Sequence, residues 1–451
     1  MLRPLVVAAV IGTAAVPVAA PAAACPPPDP AEGCVPITIG TDALPLVRAV
    51  NASHGACVSA LEFDDGEGVA LAMVSPDALE ELSRAVHEEH HRCGGFIVHD
   101  SYDDAMLALQ AAPQPRQVAY TIDRGSVVTA VLPQLDKARI LSTIRELSAM
   151  PNRYYQSPHG AAASVWLRDR WRSFAAHRPD VTVELVDHGW AQQSVVLRIP
   201  GGAKRSEVVV LGGHLDSINA RRRGDDVRAP GADDDASGIA TLSEVVRVLL
   251  ASDYRPERTI EVMAYAAEEV GLRGSQAIAR DYQRRGIDVV GALQLDMTNY
   301  KGSDRDIWLM KDFTNAAQND FVIKLIETYT GATYGLDACG YACSDHASWY
   351  RTGVPASMPF EARMRDANRA IHTVEDTAET CGDNAEHAEK FARLAASYAI
   401  EMGKGSLAAA HGQAQTCAGR GCERSPSRLP ILLANALLAL ACLAFARRTI
   451  R

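Results

Sequence analysis

From Val118 onward, apolar β-branched runs alternate with amphipathic stretches of ten or more residues. Buried parallel strands separated by helices produce this pattern. Strands are predicted at Glu207–Leu211, Thr259–Tyr265, Val289–Leu295, Ile307–Met310 and Ala356–Phe360. Helices are predicted at Ala161–Ala176, Ser237–Ser252, Gly274–Arg284 and Ala385–Met402. The result is an open α/β sheet, whose ligand crevice forms beyond the carboxyl ends of the strands.

The flanks read differently. Met1-Leu2-Arg3 leads into an alanine-rich apolar stretch ending at Ala22-Ala23-Ala24, which predicts a removable export signal over residues 1–24. Cys25 offers a lipoprotein alternative, but the leucine three positions before it is missing. Residues 25–116 open on a Pro-rich run, close on the exposed linker Gln114-Pro115-Arg116, and read as a propeptide or small N-terminal domain. Within it, His87-Glu88-Glu89-His90-His91 has the composition of a metal site but no partner ligands at a sensible spacing, so a solvated helix face is expected. A polar linker over 406–428 precedes an apolar run, Leu429 to Ala446, that ends in Arg447, Arg448 and Arg451. That tail predicts a membrane anchor with its basic end cytoplasmic, or else a buried core helix. Gly419 to Ser427 also resembles, weakly, the sorting tags of some exported proteins, which are cut by a sorting protease.

The net charge of -10 offers no basic surface for nucleic acid. The ten cysteines, in a chain with an export signal, are expected to pair, with Cys381 and Cys442 left as thiols. The protein is expected outside the cytoplasm, whether extracellular, periplasmic or attached to the cell surface.

Acids and histidines cluster where the strands end. After Glu207–Leu211 come His214 and Asp216, which face the same side of an extended segment, so Asp216 can orient the His214 ring. Three aspartates, Asp233 to Asp235, stand before an apolar helix. Helix capping explains one or two of them. The third concentrates charge that a divalent cation would relieve, and Asp234 is the candidate bridge between two ions. Glu268 and Glu269 follow Thr259–Tyr265, where adjacent residues point different ways, so one can bind metal while the other acts as general base. Asp296 ends the next strand, and a loop supplies His372. Each motif alone has a plain structural reading, as an acidic turn or a loop histidine. Together, two histidines and three carboxylates make a nitrogen and oxygen ligand set suited to paired zinc, although cobalt or manganese would also fit.

The runs Gly231 to Ala240, Ala264 to Gln276, Leu293 to Ser303 and Cys339 to Ser348 carry a close resemblance to the bacterial secreted leucyl aminopeptidases, co-catalytic zinc peptidases of clan MH, covering residues 118–405. The resemblance implies a mixed, mostly parallel central sheet flanked by helices, as in zinc exopeptidases, preceded by a small N-terminal prosegment that assists folding and masks the site. It implies two zinc ions in a catalytic domain spanning 117–405, one held by His214 and Asp296, the other by Glu269 and His372, with Asp234 bridging. Glu268 becomes the general base and Tyr341 a donor to the oxyanion, inside a local Cys339–Cys343 disulfide. The apolar substrate pocket maps onto Met297, Met310, Phe360, Met364, Ala367 and Ile371. The family tends to place aromatics where Met364 and Ala367 stand, so a wider pocket is expected here. The implied substrates are peptides with a free N-terminus and an apolar first residue such as leucine, and the catalytic domain is expected to act as a monomer. Competing readings are a carboxypeptidase, a one-zinc glutaminyl cyclase and a non-catalytic binding domain. The intact ligand set with Glu268 speaks against the last two.

Overall fold

The computed structural model describes residues 33–54, 57, 63–64, 68–90, 95–110, 113–222 and 224–408. Among them no helix is long and apolar enough to cross a membrane. The export signal, the apolar tail 429–446, the sorting-tag segment, His91 and Cys25, Cys93, Cys417, Cys422 and Cys442 lie outside the described residues.

The N-terminal layer runs β1 (Val35–Gly40), α1 (Leu44–His54), β2 (Phe63–Asp64), β3 (Val69–Val74), α2 (Leu79–His90), β4 (Phe96–Val98) and α3 (Tyr102–Ala108). Its antiparallel sheet has the order β2-β3-β1-β4. Alternate residues of its strands serve two faces. Ile37, Ile39, Ala72 and Val74 pack on Val47, Leu82 and Val86 of the first two helices, while Leu71 and Met73 pack on Ala105 of α3. Cys34 and Cys57 form a disulfide at its edge.

The larger part contains α4 (Gly125–Val131), α5 (Lys137–Ser148), α6 (Pro158–Phe174), β5 (Thr182–Val186), β6 (Ser194–Ile199), β7 (Lys204–His214) and α7 (Ala236–Ala251). It continues with β8 (Tyr254–Arg255), β9 (Arg258–Tyr265), α8 (Arg273–Arg284), β10 (Asp288–Gln294), β11 (Ile307–Met310), α9 (Ala316–Leu325) and β12 (Tyr334–Asp337). It closes with α10 (His346–Arg351), β13 (Ala356–Ser357), β14 (Pro359–Phe360), α11 (Glu386–Gly403) and β15 (Ser406–Leu407).

The central sheet has the order β13-β10-β7-β9-β6-β5. Its first four strands are parallel, and β6 and β5 add an antiparallel edge. The sheet is therefore mixed and mostly parallel, with helices on both faces. Val209 and Leu211 of β7 point into the core built with α5, α6, α7 and α11. Val208 and Val210 point the other way, toward Ile278 of α8 and Trp349 of α10. Apolar residues on both faces give β7 the run Val208–Leu211 and β9 the run Val262–Tyr265, without polar alternation.

Two expectations change. Ala356–Phe360 is two strands in two sheets. Ala356–Ser357 pairs with β10, whereas Pro359–Phe360 pairs antiparallel with β11 in a separate three-stranded sheet. Pro359 has no N–H for the ladder, and the chain changes sheet there. The ordered body also runs past residue 405, because Ser406–Leu407 pairs with Tyr254–Arg255.

Candidate active site

Adjacent parallel strands β10, β7 and β9 end side by side, and the chain beyond each supplies chemistry. His214 closes β7, Asp296 follows β10, and Glu268 and Glu269 follow β9. All are buried, as are Asp216, Asp234 and His372. Three non-glycine residues with left-handed backbone flank or form this cluster, namely Ala267 (φ +57°), Met297 (φ +58°) and His372 (φ +58°). Such conformations persist where surrounding structure over-determines them, commonly at functional sites.

Asp234 lies at the centre. Its Oδ1 is 2.8 Å from His214 Nε2, and its Oδ2 is 3.1 Å from His372 Nε2. Asp296 Oδ1 lies 3.6 Å from the same His214 nitrogen, and Glu269 Oε2 lies 2.7 Å from the same His372 nitrogen. Two histidine–carboxylate pairs thus meet across one aspartate. Donor atoms of His214, Asp234 and Glu269 gather closely enough to hold a metal ion.

His214, Asp235 and Asp296 form a second such group, but Asp235 already has other partners. Its Oδ2 accepts from His214 N at 3.0 Å, and its Oδ1 accepts from Gly238 N at 2.9 Å and Met297 N at 3.1 Å. Asp235 is thus the N-cap of α7 and a tie between ligand-bearing segments. Asp233 faces away, accepting from Asn299 N and Asn368 Nδ2, and burial pushes its carboxyl up to about 6.

Asp216 lies 3.4 Å from His214 Nδ1, in place to orient the ring. Its carboxylate also accepts from Glu268 N at 3.0 Å and Glu269 N at 3.1 Å, which fixes the turn carrying both glutamates. Asp376 does the same for the neighbouring segment, accepting from Asp233 N and Asp234 N, both at 3.1 Å. Arg153, fully buried, donates to the carbonyls of Leu215, Pro230 and Gly231. Neither Asp376 nor Arg153 stands in a motif that sequence reasoning could single out.

The electrostatics suit cationic charge. Burial opposes a proton on His372, yet the carboxylates of Glu269 and Asp234 lift it to about 10. His214 is likewise raised well above its usual value, against burial, chiefly by Asp296 and Glu268. Asp234, though buried, is held far below the usual carboxylate range by hydrogen bonds from the two histidines. Burial lifts Glu269 to about 7, helped by the charge of Asp234. Carboxylates that hold their histidines protonated form a site in which a divalent cation can take over the protons' role. Glu268 Oε2 has no hydrogen-bond partner among the described residues. Zinc fits this donor set of imidazole nitrogens and carboxylate oxygens.

Beside Asp296 lies a cavity of about 300 Å³, walled by Met297, Tyr341, Met358, Phe360, Met364 and Ile371. Ala367 also lines it, and Met310, fully buried, packs behind its wall. The Cys339–Cys343 disulfide is formed, with Tyr341 between the two cysteines. Met358 and Trp308 join this apolar cluster without having been singled out in the sequence.

The solvated-face expectation for His87 and its neighbours needs correction. Glu88 and Glu89 are exposed, but the His87 ring lies tilted against that of His372 with ring centroids 4.6 Å apart, and both His87 and His90 line the apolar cavity. The opposite side of α2 packs in the N-terminal layer, so this side is left to dock. Ser83 Oγ donates to Glu269 O at 3.0 Å, and Val98 N donates to Gly271 O at 3.2 Å. Gly271 has φ +105°, and an added Cβ would lie 2.7 Å from Val98, so a glycine permits this approach.

An open, doubly covered sheet with buried histidines and carboxylates at its carboxyl edge defines a metal-dependent hydrolase. The model of Peptidase family M28 matches residues 194–399. Leucine aminopeptidase 1 of Pyrenophora teres f. teres is 36% identical over 290 residues, covering 62% of this chain and 73% of that protein. A probable leucine aminopeptidase of Arthroderma otae is 33% identical over 310 residues, covering 67% and 84%. Among solved structures, the LapA aminopeptidase of Legionella pneumophila superposes with a TM-score of 0.68 at 27% identity, over 82% of this chain and 98% of its own. LapB of the same organism gives 0.69 at 26%, over 82% and 99%. The chain belongs to peptidase family M28 and is a metallo-aminopeptidase, with zinc the metal that the family implies. These relatives are fungal, so the likeness extends beyond the bacterial secreted group.

Proposed function

We propose that the protein is an exported aminopeptidase with two zinc ions that releases apolar N-terminal residues, leucine among them, from peptides. The observation that carries the two-ion reading is Asp234, whose two oxygens face two different histidines, each with its own second carboxylate. One ion falls to His214 and Asp296, the other to Glu269 and His372, with Asp234 shared. Bound there, zinc supplies Lewis-acid charge and lowers the pKa of water toward ~7.

The residues divide the remaining work. Glu268, with Oε2 directed to no other group among the described residues, takes a proton from the attacking water and returns it to the departing amine as the C–N bond breaks. Burial raises its proton affinity, offset by His214 and reinforced by Asp345, Glu269 and Asp296, which suits a group that must take and return a proton. Tyr341, on the cavity wall, donates a hydrogen bond from its hydroxyl to the developing oxyanion. The cavity takes the first side chain, and its methionines adapt to more than one apolar shape.

In this reading residues 1–24 are the export signal, 25–116 a prosegment, 117–408 the catalytic domain, the stretch after it to 428 a linker and 429–451 an anchor or sorting tag. The Cys34–Cys57 and Cys339–Cys343 disulfides support a life outside the cytoplasm. The experiment is hydrolysis of leucine anilide by protein cleaved at the linker around Arg116, comparing wild type with Glu268→Gln and counting zinc. Two ions in both proteins and a loss of at least ~100-fold in the variant support the assignment. A single ion in wild type, or an unimpaired variant, overturns it.

A further inference from the structure

A second cavity, of about 330 Å³, is lined not by the ligands but by chain neighbours of Asp216 and Glu269, Ser217 and Val270 among them. Its wall includes Val270, next to Glu269, and Ala220, whose N–H donates to the His372 carbonyl at 2.9 Å. The apolar cavity abuts Asp296 instead, and the two share no lining residue. Helix α2 spans both. Glu80, Glu81 and Arg84 line the second cavity, Ser83 touches the Glu269 carbonyl, and His87 and His90 line the first. From Glu80 to His87 is seven residues, or about 10 Å of helix, the length of about three extended residues. An aminopeptidase substrate whose first side chain fills the apolar cavity and whose first peptide bond lies at the ligands can continue along the line of α2 toward this cavity.

The charges in the second cavity are unevenly divided. Among the described residues, its only acidic lining residues, Glu80 and Glu81, belong to α2, as does Arg84. Among the described residues, the larger part of the chain contributes two charged groups, Arg221 and Arg222, beside Asn152, Tyr154 and Asn219. The nearby acids Asp225 and Asp226 do not line it. A carboxylate already sits there, because the Tyr154 hydroxyl hydrogen-bonds the Glu80 side chain.

We propose that this cavity is the subsite for the residues after the cut bond, and that Arg221 and Arg222 make it select a carboxylate there. The inference rests on the aminopeptidase reading above. The carboxylate is either an acidic side chain at the second or third residue or the free C-terminus of a di- or tripeptide. Glu80 occupies its place while α2 is docked.

The test uses the full-length protein after limited proteolysis at the linker around Arg116. Specificity constants are compared for Leu-Asp-Ala-amide, Leu-Lys-Ala-amide, Leu-Ala-Ala-amide and Leu-Ala-Ala free acid, with leucine anilide as reference. A preference of roughly three- to tenfold is expected for the acidic side chain or the free acid, shrinking as salt rises. Selection of Leu-Asp-Ala-amide identifies a side-chain carboxylate, and selection of the free acid alone identifies the C-terminus. Arg221→Gln/Arg222→Gln should bring the ratio close to one, and each single variant should remove part of it if the double variant does not fold. Wild type that cleaves leucine anilide but treats the four peptides alike overturns this proposal and leaves the aminopeptidase reading intact. Selection that survives both arginine substitutions overturns it as well. Failure on leucine anilide removes the underlying reading, and this proposal with it.

Discussion

The imidazole of His87 lies against that of His372, ring centroids 4.6 Å apart and planes tilted by 39°. In the proposed reading, a substrate held with its first peptide bond at the ligands would need that space, so docked α2 and bound substrate would exclude each other. The full-length protein should hydrolyse leucine anilide at least ~10-fold more slowly than the same protein after cleavage near Arg116, a difference that requires about 1.4 kcal/mol of docking free energy. His87→Ala should narrow the gap by loosening the docked helix. Equal rates before and after cleavage would show that α2 does not block the site.

Asp216 and Asp376 each clasp two consecutive backbone N–H groups beside the ligands. An amide at either position keeps the shape but can accept through only one of its two terminal atoms. Asp216→Asn and Asp376→Asn should each cost roughly 10–100-fold in zinc affinity or kcat/KM, the range for groups that orient metal ligands. Zinc content and initial rates, measured on protein with an unchanged melting temperature, check this. A loss confined to stability would reduce both residues to scaffolding.

Much of this site was legible because His214, Glu268, Glu269 and Asp296 follow strand ends, which are marked by apolar runs stopping at acids or histidines, whereas Asp234 was marked by an acidic run before a helix and His372 only by the company of the others. The parallel core was legible for the same reason. Other parts depend on tertiary partners. Arg153 precedes α6 with no local signal, and only the fold reveals that it binds carbonyls about 62 to 78 residues away. His87 sits in a stretch with a solvated pattern, and its environment comes from a different layer of the molecule. The edge strands β5 and β6 were not predicted. The burial of β5 is partial and irregular, as suits a strand at the margin of a sheet.

Zinc uptake should depend steeply on pH. In the metal-free protein His372 titrates at about 10 and Glu269 at about 7, so at pH 7 the histidine is protonated and the glutamate is about half protonated. Both protons must leave when a cation binds. Falling pH therefore weakens binding, and between pH 8 and pH 6 the apparent affinity should drop by about 10-fold per pH unit for each proton that is fully bound and must be displaced, and by less where the group is only partly protonated. Calorimetric titration of the metal-free protein in buffers of different ionisation enthalpy counts the released protons. Fewer than one proton released at pH 7 would contradict the assignment of His372 and Glu269 as ligands.

Arg153 tests what holds the ligand segments in register. Its guanidinium is buried, and it donates to Leu215 O at 2.8 Å, Pro230 O at 2.6 Å and Gly231 O at 2.8 Å. It thereby joins the end of β7, which carries His214, to the loop that carries Asp234. Burial disfavours its charge, while Asp376, Asp235, Asp234 and Asp216 support it. Arg153→Met removes the cation and leaves three carbonyls without their donor, so a loss of about 3–5 kcal/mol in unfolding free energy is expected. Arg153→Lys separates two causes. If the charge alone matters, lysine should restore most of that loss. If the planar fork matters, one ammonium cannot serve three divergent carbonyls, and lysine should recover less than half. Urea unfolding of the two variants and wild type, with and without zinc, decides between them. The fork account further requires that zinc content fall in both variants, because it is the relative placement of His214 and Asp234 that the guanidinium secures.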